Sequence, residues 1–209
     1  MGLQYSVTAI GSVILQSSVN MLGSAAVAAV TAAGKISMFF SIVFDSLGAT
    51  MATYAGQNMG AKRADRIRQG LREANIMGCI YAAAAFAVLF FFGRRIACLF
   101  VDPTETAILD NVRQMLICNS AFYCALAFVN IVRFLIQGIG YSSLAIFSGV
   151  SEMVARGLAG MVLVPAFGFT AVCFANPLAW VFADLFLFPA YFWIMKRVEE
   201  FFAGKRMQL

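Results

Sequence analysis

The chain has 209 residues, of which 62% are hydrophobic and only 12% charged, with a net charge of +5 and a mean hydropathy of +0.84. A soluble domain carries about twice that share of charge, so the composition excludes an ordinary water-soluble fold and makes lipid the solvent. There is no histidine, which removes Ser-His and Cys-His catalysis, histidine-bound metals and histidine proton relays together.

Hydrocarbon about 30 Å thick takes roughly 20 apolar residues per helical crossing, so the chain has room for about six crossings. The first predicted helix covers residues 3–24 and holds Gln16 and Asn20 but no Lys or Arg. Lacking a basic n-region it does not read as a secretory signal, and Met1 is compatible with an internal methionine of a longer protein. The second, 26–57, holds Lys35 and Asp45. Ten residues set them roughly 80° apart around the axis and about 15 Å apart along it, so they can face one cavity without pairing. After Asp45 comes SLGATMATYAG, a run of small residues suited to a close helix approach or a bend.

The connection 58–73 packs Lys62, Arg63, Arg66, Arg68 and Arg72 into one basic run, part of which has the spacing of an interfacial helix. The third helix, 74–99, carries Arg94 and Arg95 at its far end, and VDPTE breaks the chain. The fourth, 105–137, contains Asn119 and Asn130, with Arg113 and Arg133 nearer its ends. QGIGYSS reverses the chain into the fifth helix, 141–165, where Glu152 precedes Arg156 by one turn, the favoured order for an i, i+4 pair. VPAFGF then leads to the sixth, 170–195, with Asp184 near its middle.

An ionisable side chain in hydrocarbon costs a few kcal/mol, so Lys35, Asp45, Glu152, Arg156 and Asp184 are functional candidates. Structural readings stand beside the functional ones. Glu152 and Arg156 can form a self-neutralising pair, or the carboxylate can exchange its partner with a cation or proton. Asp45 and Asp184 can bond locally or line a cavity, and polar glue between helices is the commoner role for Gln16, Asn20 and Asn130. The five cysteines form no C-x-x-C pair and read as small buried hydrophobes. The 21 Phe lie in apolar runs, unlike the mixed basic and aromatic surface that binds nucleic acid.

Six alternating crossings put the 58–73 run on the same side as Lys196, Arg197, Lys205 and Arg206, and the positive-inside rule makes that side cytoplasmic. An anionic-lipid or partner-binding patch is the alternative reading of the run.

Three stretches carry a family likeness: VILQSSVNMLGSAAVAAVTAAGKI, DSLGATMATYAGQNMGAKRADRI, and RFLIQGIGYSSLAIFSGVSEMVAR followed by NPLAWVFADL. The run from Gly56 to Ala61 and the Q-G-x-G run from Gln137 to Gly140 are the most specific pieces. Together they resemble the C-terminal six-helix half of bacterial MATE (multidrug and toxic compound extrusion) transporters. The resemblance implies an all-α integral membrane protein, one six-helix bundle of a twelve-helix antiporter in the bacterial inner membrane, with the C-terminus and the 58–73 loop cytoplasmic. Such transporters export small organic, often cationic, compounds in exchange for Na+ or H+, with no cofactor besides the coupling ion. The chain would need an N-terminal half or a second copy to complete the site.

On this reading Asp45, Glu152 and Asp184 compensate the charge of a cation or substrate, and Lys35 and Arg156 tune them. Gln16, Asn20 and Asn130 add hydrogen-bonding points. Two departures stand out. Some relatives place an acid on the first helix of this half, where this chain has Gln4, Gln16 and Asn20, and they tend to carry a proline before the position of Asp45, where it has Val43 and Phe44. Alternative readings are a flippase of lipid-linked saccharides and a non-transporting scaffold or inactive remnant. An enzyme finds no nucleophile motif or metal-ligand spacing.

Overall fold

The computed structural model describes residues 2–203, with side chains from Ser6 onward, so Lys205, Arg206 and the side chain of Gln4 lie outside the described residues. Among the described residues eight α-helices follow one another: α1 (Gly2–Asn20), α2 (Ser24–Gly60), α3 (Ala64–Ala97), α4 (Thr106–Ala121), α5 (Tyr123–Ile139), α6 (Ser142–Leu158), α7 (Val164–Phe167) and α8 (Phe169–Phe202). A π-helical turn, Ala159–Leu163, joins α6 to α7. Among the described residues there is no strand, and the fold is the all-α membrane bundle that composition requires.

The 58–73 connection shrinks to a reversal at residues 61–63. Lys62 takes a left-handed backbone, φ 55°, and the amides of Ala61, Lys62 and Arg63 bond back to the carbonyls of Gln57, Met59 and Asn58, satisfying the last turn of α2. The rest of the basic run forms the opening turns of α3. It is helical because Ile67 and Leu71 begin a buried stripe that continues through Ala74, Gly78, Ala82, Ala85 and Leu89 at three- and four-residue spacing. Arg68 pairs with Glu199 and ties this end of α3 to α8, while Arg63 is taken by Asp65 at 2.7 Å.

The single helix expected over 105–137 is two helices bent by 52°. No proline causes the bend. Near it the Ser120 hydroxyl donates to the carbonyl of Ile117 at 3.3 Å, a local bond that competes with the helical ladder and bends helices. The fifth expected helix contains the π-turn, where the Val164 amide bonds to the carbonyl of Ala159; Pro165 follows and has no amide to give. The sixth runs to Phe202 with Pro177 and Pro189 inside it.

Four helical segments among the described residues (α2, α3, Ser142–Phe167 and α8) are long and apolar enough to cross a membrane, and a fifth if α4 and α5 are one bent span. Six were expected. The one missing from this set is α1, only 19 residues long and rich in hydroxyl and amide side chains. It satisfies several of them itself: Ser12 and Ser18 donate to the carbonyls of Thr8 and Ile14, and Gln16 to Asn20.

α2 packs on α5, α1 on α6, and α6 on α8. The small-residue run after Asp45 serves the first of these contacts. A Cβ on Gly48 would lie 2.8 Å from the Phe134 ring, and one on Gly138 would overlap the backbone of Ala52, so the α2–α5 approach depends on missing side chains. Edge-to-face rings knit the core beside it, Phe44 with Tyr81 at 5.2 Å and with Tyr123 at 5.6 Å.

Candidate functional site

A cavity of about 300 Å³ lies between α2, the α4–α5 pair, α6 and α8. α2 contributes Ser37, Ser41 and Asp45 from one stripe, the bent pair Asn119, Tyr123, Asn130 and Arg133, α6 Glu152 and Arg156, and α8 Asn176 and Trp180. Asp45 and Glu152 fall near the middles of α2 and of the Ser142–Phe167 helical segment, where polar groups are costly unless they serve a site or one another.

One charged network crosses this space. The Arg133 guanidinium donates through Nε to the Ser148 hydroxyl at 2.9 Å and through Nη2 to Glu152 Oε1. The other Glu152 oxygen faces Arg156 Nη1 at 3.1 Å, and Arg156 Nε donates to Asn176 Oδ1 at 3.2 Å. α5, α6 and α8 are thus joined through side chains that are all at least nine-tenths buried at the ionic positions, with Glu152 3%, Arg133 6% and Arg156 7% exposed. Two cations against one anion leave the triad with a formal +1 in a low-dielectric setting, which favours further negative charge nearby. Asp45 and Asp184 both lie within electrostatic reach of Arg133.

Asp45 stands on the α2 wall, is exposed, and has neither hydrogen bond nor ion pair among the described residues. Asp184 is buried on α8 behind the lining, and its Oδ1 has no hydrogen-bond partner among the described residues. Both side-chain atoms of Asn119, 1% exposed, are likewise unpartnered there. Such groups are expensive to bury and mark places where water, an ion or a ligand completes the bonding. Among the described residues no three His, Cys, Asp or Glu side chains cluster to hold a metal.

The structure therefore brings Asp45, Asn130, Glu152 and Arg156 to one cavity and sets Asp184 beside it. Lys35 is exposed and does not line the cavity; Gln16 and Asn20 are bonded to each other on the exposed side of α1. Arg133, which the sequence placed near a helix end, is central. It lies two turns before the Gly140–Tyr141 reversal, and helical side chains tilt toward their own N-terminus, so it extends away from the reversal and into the bundle. The available signal was the hairpin itself: Arg133 and Ser148 stand equally far from the midpoint of that reversal, which pairs them across antiparallel helices. Asn176 and Ser148 gave no signal of their own, being ordinary polar residues in apolar runs.

The MatE family model matches residues 1–163. The chain belongs to the MatE family. Solved structures agree in fold. A MATE transporter crystallised in complex with MaL6 matches with a TM-score of 0.86 at 17% identity, covering 95% of this chain and 45% of that one. An outward-facing multidrug resistance MATE transporter of the MOP superfamily gives 0.85 at 17% identity over 95% and 45%. A MOP superfamily transporter from Pyrococcus furiosus, reported with a reversed polarity of its binding pocket, gives 0.80 at 16% over 95% and 44%. No curated protein sequence is significantly similar to the chain. This MatE-family chain spans less than half the length of those transporters, and it is membrane-embedded.

Proposed function

We propose that this chain is the C-terminal six-helix lobe of a cation-coupled multidrug antiporter, and that the cavity is its half of the path for substrate and coupling ion. The observation that carries the reading is Asp45: an unpaired carboxylate on the wall of a polar cavity whose other lining acid, Glu152, is already held by two guanidiniums. A cationic substrate or the coupling ion meets Asp45 first. Arg133 and Arg156 both pair with Glu152, so it answers only to a ligand able to compete with them. Asp184, whose Oδ1 has no hydrogen-bond partner among the described residues, is the second acid, and its charge state biases how α8 packs against α5 and α6. For Na+ the oxygens of Asp45, Ser41 and Asn119 suit a hard cation; for H+ the carboxylates alone suffice.

The basic residues at the 61–63 turn, with Lys196 and Arg197 late in α8, support a cytoplasmic reading of that end, and the family resemblance supports the bacterial inner membrane as the setting. Alternating access needs two bundles rocking around a site between them, so an N-terminal six-helix half, or a second copy, completes the transporter. The test is efflux of a fluorescent cationic dye from cells lacking their own pumps, expressing this chain alone or with a matching N-terminal half. Export that requires the second half supports the lobe reading, and export by the chain alone points to assembly of two copies. Good membrane expression without export in either case overturns the reading in favour of a scaffold or remnant.

A further inference from the structure

At the end of the bundle opposite the 61–63 turn, a groove of about 420 Å³ opens between α3 and α4, lined by Phe90, Phe91, Arg94 and Arg95 of α3, by Cys98 just beyond it and by Arg113 of α4. Three guanidiniums converge on it, and among the described residues no carboxylate lines it. Asp110 engages Arg94 at 2.9 Å, whereas Arg95 and Arg113 have no hydrogen bond or ion pair among the described residues. The nearby Asp102 is committed elsewhere: its Oδ1 accepts from the amide and hydroxyl of Thr104 at 2.9 and 2.7 Å, bonds that hold its carboxyl below the ordinary range. Like charges drawn together without a counter-ion repel one another, so the groove is suited to an anion.

The position narrows the choice of anion. Phe90 and Phe91 are exposed one turn deeper on α3, a helix long and apolar enough to cross the membrane, so a cationic rim adjoins an apolar wall where α3 leaves the hydrocarbon. In the orientation proposed above these arginines stand on the side that topology leaves poor in Lys and Arg, so orientation does not account for them. We propose that this groove binds an anionic phospholipid from the adjoining leaflet. Its phosphate sits between Arg95 and Arg113, where the planar guanidinium offers paired donors to phosphate oxygens, and an acyl chain runs along Phe90 and Phe91. The site is separate from the transport cavity and does not rest on the transport reading.

Native mass spectrometry of the full chain, purified in a mild detergent, tests this with phosphatidylglycerol and phosphatidylcholine of the same acyl chains as probes. The chain is expected to retain phosphatidylglycerol at about tenfold lower concentration than phosphatidylcholine, about the effect of 1.4 kcal/mol. The double substitution Arg95→Gln with Arg113→Gln removes that preference; Lys62→Gln with Arg72→Gln at the other end leaves it intact. Arg95 and Arg113 are exposed, and circular dichroism checks that the helices persist; Arg113→Gln alone gives the same readout with a smaller loss. Equal retention of the two lipids overturns the proposal, as does a preference that survives the Arg95 and Arg113 changes. Full displacement of the lipid by millimolar inorganic phosphate also overturns it, by making free phosphate the ligand.

Discussion

Glu152 has both oxygens engaged by buried arginines, and this makes it a structural anchor before anything else. Removing one partner of a buried ion pair costs about 3–5 kcal/mol, because it strands the opposite charge. Glu152→Gln, which leaves Arg133 and Arg156 facing one another, is therefore expected to lower thermal stability in detergent by about that amount, read as a clear fall in Tm. Asp45 should behave differently. It is exposed to the cavity and holds nothing together, so Asp45→Asn is expected to leave Tm unchanged within about 0.5 kcal/mol while reducing export of a cationic dye about tenfold or more in the assembled transporter. Asp45, Asn130, Glu152 and Arg156 were legible in the sequence because polar and ionisable groups stand out in apolar runs. Which face of a helix each occupies was not legible, since hydropathy carries no direction. Lys35, Gln16 and Asn20 therefore passed the same test and lie off the cavity, and Arg133 was misjudged because its distance from a helix end says little about where a long side chain reaches.

At the scale of the elements, hydropathy located the apolar cores and missed the ends and breaks. The opening of α3 is charged enough to look like a loop, yet Ile67 and Leu71 put it in register with the buried stripe that follows. The bend between α4 and α5 has no proline to announce it, only a serine hydroxyl bonding locally. The glycines give a paired test of the packing. Gly138→Ala would drive a Cβ into the backbone of Ala52 and should separate α2 from α5 at a cost of about 1–3 kcal/mol. Gly157→Ala meets nothing within 4 Å in a helical setting, so it should be neutral or stabilise by up to about 1 kcal/mol. Thermal unfolding of the two single variants separates them; similar losses in both would mean that the α2–α5 contact is looser than described.

Across the whole molecule, three features recur at different depths: a basic end at the 61–63 turn, a polar cavity near mid-bundle, and an arginine-rimmed groove at the opposite end. The chain covers about 45% of the length of the solved MATE transporters it resembles in fold, so the cavity is read as one wall of a larger site. Under the function proposed above, substrate sits in this cavity rather than on the lipid-facing surface. The direct measurement is protection of a reporter thiol. In the assembled transporter, with the five native cysteines replaced, Ser41→Cys is labelled by a small water-soluble thiol reagent with and without a transported cationic dye, and Gln16→Cys serves as the off-cavity reference. Saturating dye is expected to slow labelling at position 41 about tenfold or more and to leave position 16 unchanged. Equal labelling rates at position 41 with and without dye, in a transporter that exports that dye, would contradict the cavity as the substrate site.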